Sequence, residues 1–290
     1  SRLRGLAMIR DAGPADRAAL EAVLVAQLDQ AMFPLTNLRA HGLGHGGFAT
    51  DHRHATRFWF LDDASMVALT QEGMLMALFA PSPDLADLPD TLAGMTLTGA
   101  VGPALSIRPA LRALGLQGQP ARLDEDEPGF ALALADLKLP DLPGATLAPA
   151  AAAPLDLLIQ WRAASMVETQ GMPPDEAPAK AAEHVAAWLD ADSHRVLLHN
   201  GQPVALTGFN ARLPEIVQVG GVYTPPELRN RGHARTAVAL HLAEARAAGA
   251  TRAVLFAATP AAVRAYRAIG FQPAADFSLV LFRDPVRLPT

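Results

Sequence analysis

Residues 220–245 read GGVYTPPELRNRGHARTAVALHLAEA. A strand ends at Thr224, and Pro225-Pro226 stops it. The polar loop from Arg229 to Ala234 then opens a long helix, running from about Gly232 to Ala248, that closes at Gly249. The first backbone N–H groups of a helix have no partner within it and carry the positive end of its dipole. Such a terminus is suited to phosphate. Gly232 and Ala234 are small enough to let a diphosphate approach the backbone, and Arg229, Arg231 and Arg235 add charge. Arginine can bind phosphate oxygens in a bidentate way. The plainer alternative is an ordinary strand–loop–helix with surface arginines. The stretch has no Gly-Lys-Ser/Thr, which excludes the nucleoside-triphosphate loop. It also lacks the Gly-x-Gly-x-x-Gly of dinucleotide-binding proteins.

Outward from this loop, residues 194–224 read as a meander of three strands. Arg195–His199 is the first, Asn200-Gly201 is a hairpin turn, and Pro203–Asn210 is the second. Ile216–Thr224 is the third. After the long helix, ATRAVLFAA reads as a strand, PAAVRAYRAIGF as a helix opened by proline, and SLVLF as a last strand.

Arg229-Asn230-Arg231-Gly232-His233-Ala234 resembles motif A of the GNAT superfamily of acetyl-CoA-dependent N-acetyltransferases, Arg/Gln-x-x-Gly-x-Gly/Ala. Residues 258–271, ATPAAVRAYRAIGF, resemble that family's Asn-x-x-Ala-x-x-x-Tyr-x-x-x-Gly-Phe helix. Tyr266, Gly270 and Phe271 are in place, and Thr259 stands where Asn is usual. The resemblance implies two adjacent parallel strands splayed into a V. The pantetheine arm of acetyl-CoA would pair with backbone at Val222 and Thr224. The diphosphate would rest on N–H groups of Arg231, Gly232, His233 and Ala234. With Arg229, Asn230 and Thr259 these make up the implied cofactor-binding set. The acceptor amine would enter from the other side and attack the thioester directly, with no covalent enzyme intermediate.

Such aminolysis needs a proton for the departing thiolate. Tyr266 is the candidate catalytic residue, because a phenol (pKa about 10) holds its proton at neutral pH above a thiol (about 8.5). Its alternative role is packing on the pantetheine arm. An N–H near Val222 would stabilise the oxyanion. Some relatives carry a Glu base on the fourth strand; the equivalent position here is Gln218, which cannot take a proton at pH 7. Glu215 points to the opposite strand face. Glu168 borders the acceptor region, as a base acting through water or as a recogniser of a cationic amine.

The family resemblance is weaker in the first half. Residues 8–28, MIRDAGPADRAALEAVLVAQL, suggest an opening strand and an amphipathic helix capped by Asp16, with Leu20, Val23, Leu24 and Leu28 on one face. Residues 145–167 repeat that plan loosely, but no Arg-x-x-Gly-x-Gly/Ala follows the first copy. The expectation is an α/β protein of two GNAT-like domains, each a mixed, mostly antiparallel twisted sheet flanked by helices. Residues 1–144 would be the degenerate copy and 145–290 the acetyl-CoA-binding catalytic domain, with the Pro/Ala-rich stretch 138–154 as the crossing. An unrelated lid or packing domain is the alternative for the first half.

Composition bounds the rest. The chain has 290 residues, 50% of them apolar and 18% charged, and a net charge of −5, which gives no general attraction for nucleic acid or anionic lipid. It has no cysteine, which removes disulfides, thiol nucleophiles and Cys-ligated metals. No apolar run is long enough for a membrane span, and the start lacks a signal-peptide core, so a cytoplasmic protein is expected. Only Lys138 and Lys180 are lysines, and with so much alanine this suggests a GC-rich genome, so a bacterial protein is expected. His41, His45, His52 and His54 lie in a glycine-rich stretch, read as a polar loop and not as a metal site. The acidic run Asp124–Glu127 is read as a solvated turn. The expected activity is acetyl transfer from acetyl-CoA to a small amine acceptor, with homodimerisation left open. The alternative is a catalytically inactive acyl-CoA-binding regulatory or scaffold protein.

Overall fold

The computed structural model describes residues 9–257 and 259–290. The stretch Ser1–Met8, read above for a signal peptide, and Ala258 lie outside the described residues. The chain forms two compact units. Among the described residues, the first comprises 9–127 and 275–290, the second 128–257 and 259–274.

In the first unit the order is β1 (Arg10–Asp11), α1 (Arg17–Ala26), α2 (Leu28–His41), β2 (Thr56–Phe60), β3 (Met66–Thr70), β4 (Met74–Leu78), α3 (Leu88–Thr91), β5 (Thr96–Pro103), α4 (Ala104–Ala113) and the start of β6 (Ala121–Ala133). Leu20 and Leu24, four residues apart, are both fully buried, as the 3.6-residue period requires. Asp16 does stand at the N-cap position of α1. Its carboxylate, however, turns back to accept the Gly13 N–H at 2.9 Å. Strands β2, β3 and β4 pair antiparallel, and β4 pairs parallel with β5.

The second unit holds the end of β6, then β7 (Ala145–Pro149), α5 (Leu155–Gln170), α6 (Ala177–Ala191), β8 (His194–His199), β9 (Gln202–Arg212), β10 (Ile216–Tyr223), α7 (His233–Ala247), β11 (Arg252–Phe256), α8 (Pro260–Ala268) and the start of β12 (Gln272–Arg287). The order strand, two helices, three strands, helix, strand, helix, strand thus occurs twice, with one parallel pair at the same place in each copy. The copies differ most at the helix after the fourth strand. In the second unit α7 runs for 15 residues; in the first, α3 has 4.

The crossings between units lie inside strands. Residues Gly129–Ala133 of β6 pair with Phe256–Arg252 of β11 in the second unit. The earlier part of β6 neighbours β12 in the first unit, where Arg283 N–H donates to the Pro120 carbonyl at 3.0 Å. Strand β12 pairs there with β5, from Phe277↔Pro103 to Arg287↔Thr96. The expected single boundary at 144/145 therefore differs from the contact division, which falls at 127/128 and 274/275. Backbone pairing along two long strands decides this, and the Pro/Ala-rich composition of residues 138–154 does not report it. The acidic run is likewise not a turn. Residues 124–127 lie within β6, and Arg108 pairs with both Asp124 and Asp126.

The core of the second unit behind the parallel strands gathers Phe130, Leu132, Phe209, Val217, Val219, Val238, Leu242, Leu255, Tyr266, Ile269 and Phe271. Phe271 is fully buried at its centre. Replacing it with alanine is expected to cost about 3–5 kcal/mol of stability, the usual range for a buried phenylalanine. Urea unfolding followed by near-UV circular dichroism checks this; a loss under about 1 kcal/mol would contradict the packing.

Candidate active site

Strand β10 sets the site. Its parallel pairing with β11 runs from Ile216↔Arg252 to Gln218↔Val254, while the two strands continue to Tyr223 and Phe256. Against β9 its register shifts twice, between Gln218 and Val219 and between Gly220 and Tyr223. The extra residue is Asn210 of β9 at the first shift and lies on β10, between Gly220 and Tyr223, at the second. A bulge bends the strand that carries it. β10 thus pairs with β11 no further than Gln218 and bends within Gly220–Tyr223. Val222 packs against the apolar cluster to which Tyr266 of α8 belongs.

Beyond β10 the chain turns into α7 through two left-handed residues, Asn230 (φ 62°) and Gly232 (φ 79°). Gly232 is the N-cap of α7 and suits that conformation, since it has no Cβ to clash. The Thr236 hydroxyl donates to the Gly232 carbonyl at 2.8 Å and tightens the first turn. His233 is buried, with Nδ1 3.1 Å from the Leu228 carbonyl and its ring edge-on to His199. Arg231 is exposed, and its Nη2 donates to the Glu227 carbonyl at 3.1 Å. Arg235 is also exposed, beside Gly232.

Arg229 is used differently. Its Nη1 and Nη2 donate to the two carboxylate oxygens of Glu168 at 2.8 and 2.7 Å, and its Nε donates to the Thr224 carbonyl at 2.9 Å. Its guanidinium also lies 5.8 Å from the centre of the Tyr223 ring. That head ties the end of α5 to the exit of β10, and its charge is already matched by a carboxylate. Glu168 is held in the same pair. Thr224 keeps a buried hydroxyl oxygen with no hydrogen-bond partner among the described residues.

Thr259 is the N-cap of α8, and its hydroxyl accepts the Ala262 N–H at 3.2 Å. It therefore sits just outside the helix on which Tyr266 lies. Tyr266 is 7% exposed and edge-on to Phe271 at 6.1 Å between ring centres. Burial pushes its phenol well above the usual value, so the hydroxyl stays protonated. Gln218 is buried at 2% exposure, with its amide nitrogen unpartnered among the described residues.

The histidine-rich stretch of the first unit is a stack of rings. His41 and His52 lie face to face at 4.0 Å, and His54 Nε2 lies 3.4 Å from a Glu72 oxygen. Among the described residues no group of three His, Cys, Asp or Glu is arranged to hold a metal ion. No helix among them is long and apolar enough to cross a membrane.

Residues 156–271 match the acetyltransferase (GNAT) family. This stretch is a GNAT-family domain. It takes in α5 to α8, the splayed strands and the loop before α7. No curated protein sequence matches the chain. The chain is similar in structure to a GCN5-related N-acetyltransferase from Kribbella flavida, at 20% identity over 91% of this chain and 95% of that one, TM-score 0.53. It is also similar to a GCN5-related N-acetyltransferase from Sphaerobacter thermophilus, at 15% identity over 98% and 96%, TM-score 0.54. A tandem GNAT protein from the clavulanic acid biosynthesis pathway gives 14% identity over 97% and 98%, TM-score 0.53. At these identities the likeness establishes the fold. The repeated element order and the tandem GNAT neighbour support a two-domain GNAT architecture.

Proposed function

We propose that the GNAT-family domain transfers an acetyl group from acetyl-CoA to the primary amine of a small molecule or peptide by direct attack. The observation that carries this reading is that the end of β10, beyond its pairing with β11, leads through a left-handed turn into the glycine-capped start of α7, while Val222 of that end packs against the apolar cluster that holds Tyr266. Val222 and Thr224 offer backbone to the pantetheine arm, and Thr224 adds a buried hydroxyl in want of a partner. Arg231, Gly232, His233 and Ala234 offer N–H groups to the diphosphate. Arg231 and Arg235 remain exposed to add charge, while Arg229 shapes the loop.

In the proposed reaction the amine attacks the thioester carbonyl, an N–H near Val222 steadies the oxyanion, and Tyr266 supplies a proton to the sulfur. Gln218 cannot act as a carboxylate base. The first unit lacks a long helix after its fourth strand, so a single cofactor site, in the second unit, is the reading it supports.

The test is release of free thiol from acetyl-CoA across a panel of primary amines. Turnover supports the proposal; saturable acetyl-CoA binding with no turnover on any amine would leave an acyl-CoA-binding regulatory or scaffold protein. Arg231→Glu, which sets like charge on the diphosphate, is expected to weaken CoA by more than about tenfold and to leave the fold intact, since an exposed charge contributes little to stability. Calorimetry checks it, and an unchanged affinity would displace the phosphate site from this loop.

A further inference from the structure

A second set of polar groups lies on the other face of the same sheet. Along β8, Arg195 pairs with Glu244 of α7, and Leu197 packs on Ala237 of α7. By alternation His194 and Val196 face away from α7, and Val196 packs with Leu158, Trp161 and Val185 of α5 and α6. His194 is 1% exposed. Its ring stacks on Trp188 of α6, 3.8 Å between centres and 13° from parallel. Ser193 Oγ lies 2.9 Å from its Nδ1. Its Nε2 is buried and has no hydrogen-bond partner among the described residues.

The imidazole fits only because two residues of the sheet lack side chains. A Cβ on Gly208 would overlap the ring, and one on Gly221 would lie 2.7 Å from Nε2. Gly221 belongs to the irregular end of β10 and precedes Val222. Beside it, Asn210 fills the space over Gly220. Gln218 shares this face, because its neighbours Val217 and Val219 pack toward α7, and its amide nitrogen is also unpartnered. A buried nitrogen left without a partner is destabilising. Here two of them border the bend of β10, on the side opposite α7.

We propose that this stretch receives the attacking nitrogen of the amine acceptor and that His194 Nε2 accepts its proton. The inference rests on the acyltransferase reading above. The amine lone pair forms the C–N bond to the thioester carbonyl as the carbonyl electrons move onto oxygen. On collapse the C–S bond breaks and sulfur leaves with its electron pair. The proton of the now cationic nitrogen passes to Nε2, whose lone pair is free when Nδ1 carries the ring proton and donates to Ser193 Oγ. Sulfur takes the Tyr266 proton, and His194 returns one proton to the phenolate through solvent. Burial, with His241 of α7, Arg162 of α5, Arg195 of β8 and His184 of α6 around it, holds His194 well below its ordinary value and so neutral at pH 7. A weak base suffices, because nitrogen bonded to the acyl carbon is far more acidic than a free ammonium.

The test uses the full chain, acetyl-CoA, and benzylamine and spermidine as probe amines. His194→Gln and His194→Phe are expected to lower kcat at least ~10²-fold and to keep CoA affinity within about threefold. Both should also lose the acid limb of the kcat profile, which in the parent lies well below the ordinary histidine range. Activity within a few-fold of the parent, or an unchanged acid limb, would overturn the proposal. A second readout needs no turnover. In ¹⁵N-histidine-labelled protein saturated with CoA, the Nε2 resonance of His194 should shift saturably as either amine is added. It is assigned against His194→Gln, or against Ser193→Ala if the glutamine variant does not fold. A resonance that stays still overturns the proposal. If the parent turns over no amine, the acetyltransferase reading fails and the proton-transfer role with it. A saturable shift would then still support this stretch as an amine-binding site.

Discussion

Tyr266→Phe is expected to lower kcat for acetyl transfer at least ~10²-fold while leaving acetyl-CoA affinity within about threefold. The substitution keeps the ring, its edge-on contact with Phe271 and its place among Val219, Leu255 and Ile269, and removes only the hydroxyl. The same burial that makes the ring a core residue raises the phenol well above its ordinary value. Transfer to a well-solvated thiolate would therefore be uphill. A thiolate formed beside this ring, however, would be desolvated too, and its basicity rises for the same reason. Proton transfer from Tyr266 to that sulfur is therefore nearer balance than it would be in water. Steady-state kinetics with an amine from the thiol-release panel, together with calorimetry for CoA, separates the roles. If kcat stays within a few-fold while CoA binding weakens, the ring is a packing residue and the sulfur leaves without it.

Ending the chain after Ala274 is expected to unfold the first unit and leave the second folded. The deleted segment supplies Val280, Phe282 and Leu288, each at most 4% exposed, to the cluster of Trp59, Val67, Leu75, Leu97, Ile107 and Leu111. At about 1.5–3 kcal/mol for each buried side chain, the loss is about 5–9 kcal/mol, comparable with the whole stability of many domains. It also strips the hydrogen-bond partner from β5 and from the first part of β6. Hydrogen exchange read by mass spectrometry should show protection lost in β2 to β5 and kept in β8 to β11. Protection unchanged in β5 would show that the strand is dispensable.

The second unit was more legible in sequence than the first because its signals are local. Pro225-Pro226, the small residues 232 and 234, Gly249 and the Asn200-Gly201 turn each act within a few residues, and the strands and helices they bound lie close to where they were read. Helix α6 gave less warning, because its alanine-rich run buries only Ala177, Ala181 and Val185. Residues 121–128 look unlike a strand, with four acids and Pro128, although the alternation of Phe130, Leu132 and Leu134 follows, and the pairing of β6 with β12 and β11 comes from far along the chain. The same limit hid part of the site. Arg229 reads as a phosphate ligand until Glu168, 61 residues away, is seen to hold it. The glycines at 208, 220 and 221 look like loose strand positions until the His194 and Asn210 side chains are found over them.

The passage of β12 into the first unit has a consequence for synthesis. A nascent chain emerges from its N-terminal end, and in most multidomain proteins the earlier domain closes first. Here residues 128–274 are all available before any of 275–290 has been made. The later unit can thus reach its native state while the earlier one still lacks a strand. Until then β5 and the start of β6 present open edges, the kind of surface on which chains join wrongly. The vulnerable interval in the life of this protein is the translation of its second unit, and holding β5 and β6 apart from other chains during it is a task for whatever binds the nascent first unit.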